Sequence, residues 1–330
     1  MMKAHAILCL AAHVLMAGSS FAAGSPLVGQ WSLDLPTREA GWLSVSERDG
    51  KISAELMWGV GAARPIERLE IREGALVFTR PIRRPLAPKE EPAVRNRIVM
   101  RAEGDVLRCT IQAEPDGVVR EFTGKRQPPL PPRPDLSRVQ FGPAITLFNG
   151  RDLSGWRVHD PAKRNGWSVR DGILCNDTPK TDFGAYGDHA NLRSDAEFED
   201  FRLRLEYRLP AGAGGNSGIY LRGLYEVQVT HRDSRMQGIQ GPGAVFGRIT
   251  PTHNAGKPAG EWETIEITLV DRHVTVVLNG ERVIDNQPVE GCTGGALKSD
   301  VTQPGPIYLQ GDHTAVQYRN LTLRPVTGVK

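Results

Sequence analysis

Four side chains that could do chemistry fall within one short stretch, residues 215–229: Tyr220, Arg222, Glu226 and Gln228. The stretch reads as two short strands joined at Gly223, each alternating apolar with polar positions. Ile219 and Leu221 point one way, Tyr220 and Arg222 the other. Across the turn, Tyr225, Val227 and Val229 oppose Glu226 and Gln228. A phenol, a fixed cation, a carboxylate and a carboxamide would then share one sheet face. Such a set can move a proton and hold a developing anion. It can equally be a solvated face with an ordinary cross-strand ion pair between Glu226 and Arg222.

Other candidates lie on neighbouring segments. Glu206 sits with Arg204 and Arg208 opposite Leu203, Leu205 and Tyr207, as a site member or as part of an exposed charge ladder. Gln310 and His313 follow an apolar strand at the point where the chain enters a loop. An imidazole titrates near neutrality, which suits His313 to acid–base work, although a loop-stabilising role fits as well. His231 and His253 belong to a glycine-rich loop over 230–260, where they serve specificity or are simply solvated. Asn216 and Ser217 would cap a strand or bind hydroxyls, while Trp262 alternates with Ile265 and Ile267 as a core residue does. The glycine-rich run 212–218 precedes a strand and opens no helix, so it lacks the geometry of a dinucleotide loop.

The elements that must position these groups are strands. Short alternating runs separated by Asp-Gly-type turns recur from Leu27 to Arg126, which predicts a small antiparallel barrel or sandwich over 23–126. Trp31, Trp42 and Trp58 read as its core, and no catalytic cluster is evident in it, so its role is accessory. The proline-rich run 127–143 predicts an extended spacer. Residues 144–330 carry a dozen or more alternating strands, the pattern of a jelly-roll sandwich whose concave face holds a ligand site. The fold class is therefore all-β throughout.

Composition narrows the function. Lys3, the apolar run 7–17 and the small residues Ser20 to Ala22 predict a secretory signal peptide over 1–22 rather than a membrane span, and export to the periplasm or beyond. Cys109, Cys175 and Cys292 remain beyond it, widely spaced and without metal-ligand spacing, so at most one disulfide forms. With 41 basic and 38 acidic residues the net charge is +3, and the one basic cluster, 80–89, is broken by prolines. A nucleic-acid partner is not expected.

The ordered motifs FNGRDLSGW, WSVRDGIL, FEDFRLRLEYRLP, GGNSGIYLRG, YEVQV, GAVFG, PAGEWETIEI, VTVVLNGERV and GPIYLQGDHTAVQYRNLTL resemble the 3-keto-disaccharide hydrolase domain, over about residues 144–325. The resemblance implies a concanavalin-A-like jelly roll. It also implies activity on glycosides whose carbon 3 a partner oxidoreductase has converted to a ketone. Such a ketone acidifies the proton on carbon 2, and its removal lets the glycosidic oxygen leave carbon 1 by elimination. Water addition would complete net hydrolysis. The site then needs a base, a group to hold the enolate oxygen and an acid for the leaving group, instead of the two flanking carboxylates of an ordinary glycosidase. With the resemblance, Glu226 is expected as base or metal ligand, Arg222 as the cation on the enolate oxygen, and His313 and Glu206 as further catalytic groups. Tyr220, Gln228, Asn216, Gln310 and His253 are expected to bind sugar. The family has a histidine soon after the Leu-Gln pair; here Gly311 and Asp312 intervene. A divalent metal on Glu226, His313 and other oxygen donors is compatible, but no ligand pair demands one. The rival reading is a non-catalytic, lectin-like jelly roll. A lectin needs hydroxyl-binding groups and aromatic platforms, whereas an enzyme also needs a buried group of shifted pKa.

Overall fold

The computed structural model describes residues 24–81, 95–115, 117–179, 188–212 and 214–329. The expected signal peptide and most of the basic cluster 80–89 lie outside the described residues. Apart from one short 3-10 turn, Gly238–Gln240, every regular element described is a strand.

The first sheet contains β1 (Gly29–Asp34), β2 (Ala40–Arg48), β3 (Lys51–Trp58), β4 (Arg64–Pro65), β5 (Leu69–Arg72), β6 (Ala75–Pro81), β7 (Arg95–Glu103), β8 (Val106–Ala113) and β9 (Val119–Arg126). Their order is β4-β3-β2-β1-β9-β8-β7-β6-β5, antiparallel throughout, with β4 and β5 at the two edges. Asp49-Gly50 and Glu73-Gly74 both place two successive residues at positive φ, the mirror-image turn that matches strand twist. Trp31, Leu43, Leu56, Phe78, Met100 and Leu107 come from six strands yet meet in one buried cluster. A single sheet achieves that only by curling strongly on itself. The expected barrel or sandwich is thus one curled, open sheet.

Residues 127–135 run as an extended strap without regular structure. The strap is tied down along its length: Arg272 donates to the Pro128 carbonyl at 3.0 Å, and Asn286 donates to that of Pro134 at 2.8 Å.

The remaining strands are β10 (Val139–Phe141), β11 (Ile145–Thr146), β12 (Trp156–Val158), β13 (Trp167–Arg170), β14 (Ile173–Asn176), β15 (Leu192–Phe198) and β16 (Phe201–Arg208). They continue with β17 (Asn216–Leu221), β18 (Tyr225–Thr230), β19 (Glu263–Val270), β20 (His273–Leu278), β21 (Glu281–Pro288), β22 (Gly305–Leu309) and β23 (Val316–Val329). One sheet has the order β13-β14-β23-β16-β19-β20-β21, with β10 and β11 paired along β23; the other is β12-β15-β22-β17-β18. Neighbours so distant in sequence are the mark of a jelly roll, and the two sheets enclose one core. Along β16, Phe201, Leu203, Leu205 and Tyr207 turn inward. The facing sheet answers with Leu192, Ile219, Val227, Ile307 and Leu309. Each such aliphatic side chain contributes on the order of 1.5–3 kcal/mol by leaving water.

Two expectations change here. Trp42 joins the core of the jelly roll together with Ala40 and Met57, so it bridges the two domains rather than filling the first. Trp262 is half-buried on the outer face, between the guanidinium groups of Arg208 (4.7 Å) and Arg319 (4.0 Å), and is not a core residue. Cys109, Cys175 and Cys292 are buried free thiols.

Candidate functional site

The hairpin β17–β18 supports the site. Its register pairs Tyr220 with Glu226, Gly218 with Gln228 and Asn216 with Thr230. The alternation sends Ile219, Leu221, Tyr225, Val227 and Val229 into the core. The other face is closed over by loops, and every residue of both strands is buried. The outer edge of β18 is capped by the segment 243–249: Gln228 donates its N–H to Ala244, and Phe246 donates to Glu226. An edge strand is thereby covered.

Glu226 is only 4% exposed. Room for its carboxylate comes from Gly218, where a Cβ would stand 2.3 Å from Oε1. Burial pushes the Glu226 carboxyl up to about 8, against the pull of its hydrogen bond with Tyr220 and with the help of nearby Asp312. The Tyr220 hydroxyl donates to the Gly294 carbonyl at 2.9 Å, and its ring meets Tyr308 edge-on at 5.1 Å. Burial, with Glu226 and Tyr308 beside it, raises the Tyr220 phenol well above its ordinary range.

Asn191 organises the far side. Its Nδ2 donates to the Tyr308 hydroxyl at 2.6 Å, and its Oδ1 accepts the N–H groups of Gly311 (2.6 Å) and Asp312 (3.1 Å). The same asparagine therefore fixes a phenol and the turn that presents the next two residues. Asp312 then accepts from His313 Nδ1 at 2.5 Å, with both side chains largely buried. A carboxylate that holds one nitrogen of an imidazole fixes the orientation of the ring. His159 packs edge-on against Tyr308 at 5.7 Å, and burial followed by the neighbouring Arg193 lowers its pKa.

The polar floor beside Glu226 is made by three predicted residues. Gln228 donates to Asn216 Oδ1 at 2.8 Å, while Asn216 exchanges backbone hydrogen bonds with Thr314 Oγ1. Gln310 donates its N–H to the Gly218 carbonyl. The side-chain oxygens of Gln228 and Gln310 are buried with no partner among the described residues, which suits them to receive hydroxyl donors. His231, at the end of β18, is buried rather than solvated.

Of the predicted groups, Glu226, Tyr220, Gln228, Asn216, Gln310 and His313 stand on this face or on the loop that flanks it. Three others stand elsewhere. Arg222 is the first turn residue, at φ 58°, so the strand has already ended. Its guanidinium donates to the carbonyls of Val301 (2.7 Å) and Gln303 (2.6 Å), not to Glu226. Glu206 lies on the outward face of β16 and accepts from Arg319 and Asn320 at 2.8 Å each. Burial works against it, but those two partners hold its carboxyl below the usual range. His253 is exposed and bonds Glu281 at 2.8 Å. Tyr308, Asp312 and Asn191 were not singled out from sequence. Tyr308 alternates with Ile307 and Leu309, a usable signal; Asn191 precedes its strand and carried none.

No group of three or more His, Cys, Asp or Glu side chains among the described residues forms a metal-binding cluster. What the site offers is a buried carboxyl with a pKa near neutrality, two phenols and an oriented imidazole. These are the parts of an acid–base pair with hydrogen-bond donors around it.

Comparison with known proteins returns a match over residues 143–324 to the family described as the 3-keto-alpha-glucoside-1,2-lyase-like domain. Two crystal structures of provisionally named glycosyl hydrolases from Parabacteroides distasonis are similar. One is 20% identical, covering 55% of this chain and 93% of its own at a TM-score of 0.45. The other is 26% identical, covering 61% and 94% at a TM-score of 0.43. A Bacillus licheniformis beta-glucanase is 10% identical, covering 56% and 99% at a TM-score of 0.36. No match to a curated protein was found.

Proposed function

Because the chain belongs to the 3-keto-alpha-glucoside-1,2-lyase-like domain family, by its residues 143–324, we propose that it cleaves 3-keto-glycosides or 3-keto-disaccharides by elimination. The base, the imidazole of His313 held by Asp312, removes the proton from carbon 2. The electron pair moves toward the carbon 3 ketone to give an enolate, whose oxygen is held by hydrogen-bond donors such as the Tyr308 hydroxyl. Collapse of the enolate forms the carbon 1–carbon 2 double bond and breaks the bond from carbon 1 to the glycosidic oxygen. Glu226, neutral below about pH 8, protonates that oxygen as it leaves. Addition of water across the new double bond turns the elimination into net hydrolysis. Gln228, Gln310 and Asn216 orient the sugar through its hydroxyls.

The observation that carries this reading is the Glu226 carboxyl itself. It is buried, its pKa is raised by desolvation, and it shares a sheet face with Tyr220 and Tyr308. A binding module has no need of such a group, because a buried carboxyl without an ion-pair partner lowers stability without adding affinity. The substrate class implies a partner oxidoreductase that makes the ketone, and the leader-like residues 1–22 support action outside the cytoplasm.

The test is incubation with a 3-keto-glucoside and with its unoxidised parent, with chelator and divalent-metal controls. Aglycone release from the keto sugar alone is expected, and Glu226→Gln should abolish it. No release from either sugar, with sugar binding retained, would make the protein a lectin. Release lost to chelator and restored by a divalent ion would recast Glu226 as a metal ligand.

A further inference from the structure

The segment 291–299 lies between the amino-terminal sheet and the site face. On the site side, Thr293 Oγ1 accepts the Glu226 N–H at 2.9 Å, and the Gly294 carbonyl accepts the Tyr220 hydroxyl at 2.9 Å. On the other side, Gly295 donates its N–H to the Gly59 carbonyl at 2.8 Å. Gly294 fits so closely on the amino-terminal domain that an added Cβ would stand 2.3 Å from the Gly61 oxygen and 2.4 Å from its nitrogen. Both of those are backbone atoms, which cannot swing aside as a flexible side chain can.

The flanks of the segment are pinned to the same domain. Trp42 leaves no space for a side chain at Gly291, and it stacks at 4.0 Å on Arg248, which donates to the Cys292 carbonyl at 2.6 Å. At the other end, the Ser32 hydroxyl donates to the Ser299 carbonyl at 2.6 Å. The position of Gly294 is thus set from outside the family domain.

We propose that loop 59–63 of the amino-terminal domain is a positioning element of the site: by fixing the Gly294 carbonyl it engages the one Tyr220 O–H, leaving the phenolic oxygen to accept a hydrogen bond from the Glu226 carboxyl O–H. A hydroxyl has a single proton to give. While Gly294 competes for it, Tyr220 gives a Glu226 carboxylate only a weak pull, outweighed by burial, and the carboxyl stays in its acid form. Displace Gly294 and the Tyr220 O–H turns to Glu226, stabilising the anion and disarming the acid. The other groups acting on Glu226 do not offer that proton. Asp312, bonded to His313, opposes ionisation. Tyr308, from β22, accepts the Asn191 N–H and is not among the groups that bond Glu226. Within 291–299, burial keeps the Cys292 thiol neutral, and the Lys298 ammonium is turned to the Gln303 carbonyl. The proposal rests on the reading of Glu226 as the acid of the site.

The test needs no substrate, so its failure and a failed activity assay are separate results. The carboxyl of Glu226 is titrated by infrared spectroscopy in the full chain, its band assigned by its loss in Glu226→Gln. Gly294→Ala wedges the two domains apart and is expected to lower that pKa by about one unit or more, a tenfold rise in the ionisation constant. Ala62→Leu is a second wedge, since Ala62 packs against Gly247, and it replaces Gly294→Ala if that variant does not fold. Val60→Ser, at a position 66% exposed on the same loop, is expected to leave the pKa unchanged. In a Tyr220→Phe background the wedges are expected to have no effect, because the proton they redirect is gone. An unchanged pKa in a folded wedge variant would overturn the proposal. So would an equal drop in the Tyr220→Phe background.

Discussion

Asp312 Oδ1 and His313 Nδ1 lie 2.5 Å apart, in a turn held by the side-chain oxygen of Asn191. Sequence neighbours seldom face each other in extended chain; here the turn folds the imidazole back onto its predecessor. Asp312→Asn keeps the shape and removes the carboxylate that accepts from the imidazole N–H. Its kcat/KM on a 3-keto-glucoside should fall by about a hundredfold or more, with the melting temperature nearly unchanged. Steady-state kinetics beside a thermal melt will check this, and a variant of full activity would exclude the pair from the mechanism.

Glu226 should leave a mark on stability as a function of pH. Its ordinary pKa is 4.5 and its folded value about 8, so between these the folded chain keeps a proton that the unfolded chain has released. Stability therefore falls as pH rises through that window and levels off above about 8, the reverse of an ion-paired carboxylate. The change is at most about 5 kcal/mol at 1.36 kcal/mol per unit. Urea unfolding of the wild type and of Glu226→Gln across that range measures it. The Gln variant should lose this component; parallel curves would contradict the shift.

Gly218→Ala tests the space beneath the carboxylate. The new methyl would meet Glu226 Oε1 at 2.3 Å and Cγ at 2.8 Å, so the glutamate must leave its place. Activity should drop at least about tenfold, for a stability cost of about 1–3 kcal/mol typical of overpacking. Aglycone release and a denaturation curve separate the two effects.

Arg222 and Glu206 make a paired prediction. Removing Arg222 leaves the Val301 and Gln303 carbonyls without their donor, so Arg222→Ala should cost about 2–4 kcal/mol. Glu206→Gln disrupts a half-exposed pair and should cost less than about 1 kcal/mol. Neither should change kcat on a 3-keto-glucoside measured well below the melting temperature. A large kcat loss in folded Arg222→Ala would return that residue to the site.

How much of this was legible follows from what each residue depends on. The alternation in 216–221 and 225–230 separated the core face of the hairpin from the face that carries Glu226, because period-two patterning is local and Ile219, Val227 and Val229 fix which side is inward. Arg222 failed by one position. Two successive left-handed residues, Arg222 at 58° and Gly223 at 64°, end the strand at Leu221, and a non-glycine residue at positive φ has no dependable sequence signature. Glu206 alternated correctly, but its outward face belongs to the sheet on the far side of the core. Which face carries a site is set by strand order, not by the strand. Asn191 and Asp312 act through a turn built by residues far apart in the chain, so no window could contain the signal. Trp42 looked like any core tryptophan because its true partner, Gly291, lies in the other domain.

The hairpin that carries Glu226 has one further consequence. Every residue of β17 and β18 is buried, with the core on one face and loops on the other. Backbone amides in such a place exchange with solvent only when much of the domain opens. The amides of 216–221 and 225–230 should therefore be among the slowest to take up deuterium. On heating, inactivation should then coincide with global melting, since the hairpin that carries Glu226 does not loosen ahead of the fold.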